Sequence, residues 1–111
     1  MTSQEDGTCT VQDPRRRFYS DLSSEEQDRW VSELKPGPAM AQLTPLTYTA
    51  YSHHPVSYLY CQNDEALLPQ VQEMMVAGSG LNVHTESCSA GHSPFLSQPK
   101  VLLEMVKKMV T

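Results

Sequence analysis

The chain has 111 residues, which suffice for one domain, and 39% apolar with 19% charged residues is a composition that folds at least in part. The net charge of −5 at pH 7 excludes a general nucleic-acid-binding protein, because such a protein needs a basic face to displace counterions from phosphate. The basic run at residues 15–17 is too short for a polybasic patch, and we interpret it as a solvated turn with local ion pairs.

No stretch approaches the roughly 20 consecutive apolar residues of a membrane span, and the N-terminal segment has no apolar signal region. Cys9, Cys61 and Cys88 are odd in number and form no CxxC, which fits a reducing compartment. His53 and His54 are adjacent and lack the i, i+4 spacing of zinc ligands. We therefore expect a soluble, cytoplasmic protein without a metal ion or another cofactor, and without a nucleic-acid or membrane partner.

The N-terminal half predicts loops and short helices. Residues 1–12 are polar and aperiodic, and we interpret them as a loop. A capping box of Ser23 with Glu26 predicts a helix over residues 24–34, which the Pro-Gly-Pro sequence at 36–38 ends. Residues 39–43 are expected to form one more helical turn, and residues 46–51 are β-prone but short.

The C-terminal half has clearer periodicity. Residues 56–61 are typical of a buried parallel strand, and a helix is predicted from Pro69 to Gly78. Residues 81–87 alternate like a strand near a sheet edge. A last helix follows Pro99, with an apolar stripe of Leu102, Met105, Val106 and Met109. Strand, acidic loop, helix, strand, histidine loop and helix together predict an α/β fold with parallel strands.

Two strand-end loops carry an ionisable pair, Asp64 and His92. Open α/β sheets place their sites at such loops, and a histidine that accepts a proton from a nucleophile needs its other ring nitrogen held by a carboxylate. Taken alone, Asp64 is an ordinary turn residue and His92 an ordinary polar loop residue.

The sequence around each of these residues resembles a known family. Residues 58–64 with Pro69, and then residues 90–99, resemble the C-terminal part of plant methylesterases, hydroxynitrile lyases and related fungal α/β-hydrolases. The resemblance implies that Asp64 is the triad aspartate and His92 the triad histidine. Asp64 and His92 lie 28 positions apart in the sequence, which leaves room for one helix and one strand between them.

The resemblance extends upstream and covers roughly residues 11–110. It implies a lid-derived helical segment at residues 13–50 and the C-terminal βαβα of the hydrolase core at residues 51–111. Trp30, Met40 and Leu43 would then lie near an acyl pocket, although core packing is the commoner role of such residues.

The chain departs from the family in one respect. Triad order in this fold is Ser, Asp, His, with the serine in an upstream Gly-x-Ser-x-Gly elbow, and this sequence contains no such elbow. Gly78-Ser79-Gly80 lacks the spacing and follows a helix, so we interpret it as a helix-ending loop. Cys88 is close to His92 in sequence, but the family topology puts it at the base of the histidine loop.

Two hypotheses follow. The first is a truncated α/β-hydrolase, not a complete domain, whose complete relatives hydrolyse small esters or amides with a Ser-Asp-His triad, in fungal secondary metabolism. The second is a noncatalytic remnant or interaction module whose exposed sheet edge pairs with a partner chain or a second copy. Both predict that the isolated chain is poorly stable.

Overall fold

A computed structural model describes residues 2–110. Met1 of the segment predicted at 1–12 and Thr111 of the segment predicted at 51–111 lie outside the described residues. The strands are β1 (Thr2–Ser3), β2 (Thr8–Thr10), β3 (Gly37–Pro38), β4 (Ser57–Cys61) and β5 (His84–Cys88). The helices are α1 (Pro14–Tyr19), α2 (Ser24–Glu33), α3 (Met40–Leu43), α4 (Pro69–Gly78), α5 (Pro94–Ser97) and α6 (Pro99–Met109). Within the described residues these strands form two sheets, ordered β1-β2-β3 and β4-β5.

The loop predicted for residues 1–12 is wrong over most of its length. β1 and β2 form an antiparallel hairpin, and β3 pairs with the other edge of β2. Gly7 in the hairpin turn has a φ of +83°, which costs glycine little. Asp6 accepts hydrogen bonds from the backbone N–H and the hydroxyl of Thr8, at 3.0 and 2.6 Å. An Asp-Gly pair is a strong hairpin signal, and the loop prediction overlooked it.

The arginine run at residues 15–17 lies in helix α1 and not in a turn. Pro14 occupies the first helical position, where its missing N–H is not needed. The expected ion pairs are present, since Arg15 pairs with Asp28 and Arg16 with Asp13.

Helices α2 and α3 confirm the predictions for residues 24–34 and 39–43 within a residue at each end. Ser23 caps α2 by accepting a hydrogen bond from the backbone N–H of Glu26 at 3.3 Å. The β-prone stretch at residues 46–51 forms no strand, and Ala50–Ser52 is a 3-10 turn. Proline at positions 45 and 55 brackets this stretch and limits its pairing with another strand.

The second sheet confirms the predicted α/β class. β4 and β5 run parallel, in a register that pairs Ser57 with His84 and Cys61 with Cys88, and α4 connects them. β5 begins three residues later than the alternating pattern at residues 81–87 suggested. The carboxyl ends of both strands therefore meet at one edge of the sheet, where the loops that bear Asp64 and His92 begin.

A buried glutamine connects α4 to β4. The side chain of Gln72 is 1% exposed, and its amide accepts from the N–H of Cys61 and donates to the C=O of Cys61, both at 3.0 Å. The same amide group donates to the C=O of Leu67 at 2.8 Å. The N–H of Gln62 points to β5, so the backbone groups of Cys61 point to the opposite edge of β4. Gln72 thus occupies the place that a peptide group of a neighbouring strand would take.

The described part of the chain has a small core. Its buried apolar residues are Cys9, Tyr19, Cys61, Ala90 and Met105. The predicted stripe of α6 is only partly covered, because Val106 and Met109 remain 45% and 53% exposed. The radius of gyration, 15.7 Å, exceeds the roughly 13 Å expected for a compact chain of this length. Much apolar surface of the second sheet and its helices therefore faces solvent.

We predict that Gln72→Leu destabilises the fold. The substitution leaves the N–H and C=O of Cys61 without their partner, and each such buried group costs roughly 1–3 kcal/mol. The free energy of unfolding, measured by urea denaturation, should fall by about 2–6 kcal/mol. Gln70→Leu, at an exposed position of the same helix, is the control, and equal stability of the two variants would contradict the assigned role of Gln72.

Candidate active site

Asp64 lies in the loop that follows β4, with its side chain only 6% exposed. Its Oδ1 accepts hydrogen bonds from the backbone N–H groups of Ala66 and Leu67, at 2.8 and 2.9 Å. A carboxylate that accepts two backbone N–H groups cannot rotate freely. Oδ2 is therefore the oxygen left to face outward from the loop.

His92 lies in the loop that follows β5, and backbone pairing continues past the strands to hold the two loops together. The N–H of Gln62 donates to the C=O of Cys88, and the N–H of Asn63 donates to the C=O of Ala90, at 3.0 and 3.1 Å. The Asn63 side-chain amide also donates to the C=O of Ser89 at 2.6 Å. Asn63 thus makes two bonds that fix the spacing of the Asp64 and His92 loops.

The structure brings the two predicted residues together. His92 Nδ1 lies 2.9 Å from Asp64 Oδ2 and 3.1 Å from Asp64 Oδ1. An ionised carboxylate only accepts hydrogen bonds, so Nδ1 carries the proton and donates it. The lone pair of the neutral ring is then on Nε2, and the His92 side chain is 36% exposed, so that nitrogen can act as a base.

Helix α1 and the turn after it pack against the histidine loop. The Phe18 ring stacks on the imidazole of His92, with centroids 5.1 Å apart and planes 20° from parallel. Asp21 Oδ2 accepts from the N–H of Gly91, and the hydroxyl of Ser93 donates to the C=O of Phe18, both at 2.8 Å. Sequence reasoning missed Phe18 and Asp21 because contacts across 70 or more positions leave no local pattern.

The other nucleophile candidates do not join this pair. Ser79 lies at the C-terminal end of α4 and donates to the C=O of Val76 at 2.7 Å, as expected of a helix-ending loop. Since α4 starts beside the Asp64 loop and runs back along the sheet, Ser79 is at the opposite end of it. Cys88 ends β5 opposite Cys61, and burial, with Cys88 beside it, raises the pKa of the Cys61 thiol to about 12.

The described residues also show what kinds of site they do not form. Among residues 2–110, no group of three His, Cys, Asp or Glu side chains is arranged to hold a metal ion. In the same part of the chain, every helix is too short or too polar to cross a membrane.

We predict that Asp64→Asn inverts the tautomer of His92. Two backbone N–H groups require an acceptor at the Oδ1 position, so the asparagine amide nitrogen takes the Oδ2 position and donates to Nδ1. The ring proton then moves to Nε2, which loses its lone pair. Imidazole ¹⁵N chemical shifts report the tautomer directly. The control is Glu65→Gln at the adjacent exposed position, and an unchanged Asp64→Asn tautomer would refute the assignment.

Comparison with known proteins agrees with this architecture. The sequence model of the alpha/beta hydrolase family matches residues 4–105. The alpha/beta hydrolase nvfD of Aspergillus novofumigatus is 28% identical over 107 residues, which are 94% of this chain and 43% of that protein. The probable hydrolase R7 of a Phoma species is 32% identical over 71 residues, which are 60% of this chain and 29% of that protein.

Solved structures show the same fold. Polyneuridine aldehyde esterase superposes with a TM-score of 0.74 at 16% identity, covering 88% of this chain and 40% of the esterase, and a mutant of that esterase gives the same values. The predicted α/β-hydrolase fold is confirmed, and the chain spans less than half the length of these relatives. With the family match over residues 4–105, the conclusion is that this chain belongs to the alpha/beta hydrolase family.

Proposed function

We propose that this chain supplies the Asp-His part of a Ser-Asp-His hydrolase that acts on small esters or amides. The observation that carries the proposal is the hydrogen bond from His92 Nδ1 to the buried carboxylate of Asp64. In this role Asp64 orients His92 and stabilises its imidazolium, while His92 acts first as base and then as acid.

His92 carries one proton in each half of the reaction: Nε2 first takes it up and then gives it away. Nε2 removes the proton of a serine hydroxyl as the serine oxygen attacks the substrate carbonyl. The imidazolium then gives that proton to the leaving alcohol or amine, and the acyl group stays on the serine. A water molecule then attacks the acyl-serine ester, while His92 takes its proton and returns it to the serine oxygen. The ester bond breaks, and the carboxylic acid is released. In this fold the serine precedes the aspartate in chain order, so it would belong to the part of the relatives that this chain does not match.

An apolar groove on the Phe18 side of the site supports a small, partly apolar substrate. A groove of about 470 Å³ runs between the N-terminal hairpin and helices α1 and α2, and its lining includes Phe18, Val31 and Leu34. That volume is in the range of small-molecule sites. Phe18 connects the groove to His92 through the ring stack. The Trp30, Met40 and Leu43 side chains are not among its lining residues, and Met40 and Leu43 are 64% and 71% exposed.

The setting of the reaction is a further part of the proposal. Both sequence relatives are fungal proteins named as hydrolases, and we assign the complete enzyme to fungal secondary metabolism. The three cysteines are free thiols, which suits a reducing cytoplasm.

We predict that activity appears when the chain is joined to the unmatched upstream segment of the Aspergillus relative. A fluorophosphonate probe should label the serine of the joined protein, and His92→Ala should lower the labelling rate by at least about 1,000-fold. His84→Ala removes an exposed histidine of β5 and serves as the control. Labelling that His92→Ala leaves unchanged would sink the proposed function.

One observation favours the alternative function, an interaction module without catalysis. Apolar side chains of α4 and α6 are exposed, among them Met74 at 71%, Met75 at 52% and Leu103 at 52%. Beside α4, a groove of about 510 Å³ is lined by Val56, Tyr58, Met74, Met75, Leu81 and Val83. Met74 and Met75 thus belong to one continuous apolar lining and are not scattered exposed residues, and such a lining suits a partner chain or a second copy.

We predict that the purified 111-residue chain self-associates or aggregates, because these side chains would otherwise remain in water. Sedimentation velocity should show oligomers, and Met74→Lys with Met75→Lys should shift the distribution towards monomer. The control pair, Gln70→Lys with Ser32→Lys, adds the same two charges at exposed polar positions of α4 and α2. A monodisperse wild-type monomer with a cooperative, high-temperature unfolding transition would contradict this prediction.

A further inference from the structure

The two residues that flank His92 in sequence are both hydrogen-bonded to helix α1 or to the turn that follows it. The N–H of Gly91 donates to Asp21, and the hydroxyl of Ser93 donates to the backbone C=O of Phe18. Gly91 is buried, and Ser93 is 3% exposed. The backbone of the histidine loop is therefore fixed from both sides by a segment that lies 70 to 75 positions upstream.

The approach of the two segments is close at Gly91. A Cβ atom at this position would lie 3.0 Å from Asp21 Oδ1 and 3.0 Å from Ser20 Oγ. Contacts this short force the neighbouring side chains to move, so a residue with a side chain would disturb the bond between Asp21 and the Gly91 N–H. Glycine is the residue that allows the loop and the turn to meet.

The third contact restrains the ring itself. The hydrogen bond to Asp64 holds Nδ1 but leaves the imidazole free to tilt about the line between the two atoms. Phe18 covers one face of the ring at a centroid distance of 5.1 Å, which opposes that tilt. Together, the carboxylate and the aromatic ring determine where Nε2 points.

We propose that Phe18 and Asp21 are positioning residues for His92. Asp21 holds the loop backbone, and Phe18 holds the plane of the imidazole, so that Nε2 is aimed before substrate arrives. This inference deepens the proposed function and rests on it, because aiming Nε2 matters only if His92 exchanges protons with a nucleophile.

Nuclear magnetic resonance of the 111-residue chain, carrying Met74→Lys and Met75→Lys to keep it monomeric, tests the positioning without any catalysis. In the wild-type protein the Nδ1 proton of His92 is hydrogen-bonded to Asp64, and we expect it to exchange slowly with water. Phe18→Leu keeps an apolar side chain but removes the stack, and exchange of that proton should become about 3- to 10-fold faster, as loss of one aromatic stack implies. Phe18→Tyr should restore the wild-type rate.

Two further variants keep this test decisive. Phe95→Leu changes a 59% exposed ring near the same loop and should leave the exchange rate unchanged. Asp21→Ala removes, at an exposed position, the acceptor of the Gly91 N–H, and it should speed exchange of both the Gly91 amide proton and the His92 Nδ1 proton. Wild-type exchange rates in Phe18→Leu and Asp21→Ala, with folded amide spectra, would overturn the proposal.

The kcat and KM of the joined hydrolase distinguish a positioning role of Phe18 from a substrate-binding role. Phe18 also lines the groove beside α1 and α2, so a residue that only contacts substrate would change KM and leave Nδ1 exchange unaltered. A positioning residue lowers kcat with KM unchanged, and we expect a 3- to 10-fold decrease for Phe18→Leu. A change in KM alone would overturn the inference. Absence of fluorophosphonate labelling in the wild-type joined enzyme would instead overturn the proposed function, while the exchange rates would still report the ring's restraint.

Discussion

The parallel pairing of β4 with β5 is the constraint on which the site depends. The register ends with Cys61 opposite Cys88, and backbone bonds from Gln62 and Asn63 continue it into the loops. A shift of one residue would move Asp64 and His92 relative to each other by about 3.3 Å, far beyond the tolerance of a 2.9 Å hydrogen bond. The geometry of the acid-base pair is therefore set by strand pairing before any side chain contributes.

Side-chain amides and carboxylates complete the backbone pairing where regular structure stops. Gln72 hydrogen-bonds to the backbone of Cys61 at the edge of β4, and Asn63 links its own loop to the histidine loop through the C=O of Ser89. Asp64 accepts a backbone N–H of its own turn. Each of these side chains bonds to backbone atoms that no strand reaches. The region around the site is thus held by polar contacts of defined direction, while the apolar faces of α4 and α6 contribute little burial.

Local patterns in the sequence account for most of the elements but not for the contacts between them. Apolar periodicity and proline positions predict the strand β4 and the helices α4 and α6. The Asp64 and His92 loops are predicted because each begins where a predicted strand ends. The N-terminal hairpin was missed because its signal, Asp6-Gly7, is two residues long within a polar stretch. The roles of Phe18 and Asp21 could not be predicted, since no rule of spacing connects α1 with a loop near the other end of the chain.

The contacts between α1 and the histidine loop also govern the order in which the molecule assembles. Phe18 and Ser93 are hydrogen-bonded although they lie 75 positions apart in a chain of 111 residues. During synthesis α1 leaves the ribosome well before the loop that it holds, so its bonding groups stay hydrated until the histidine loop has emerged. Because the entropic cost of closing a segment rises with its length, we expect the His92 environment to form among the late steps of folding.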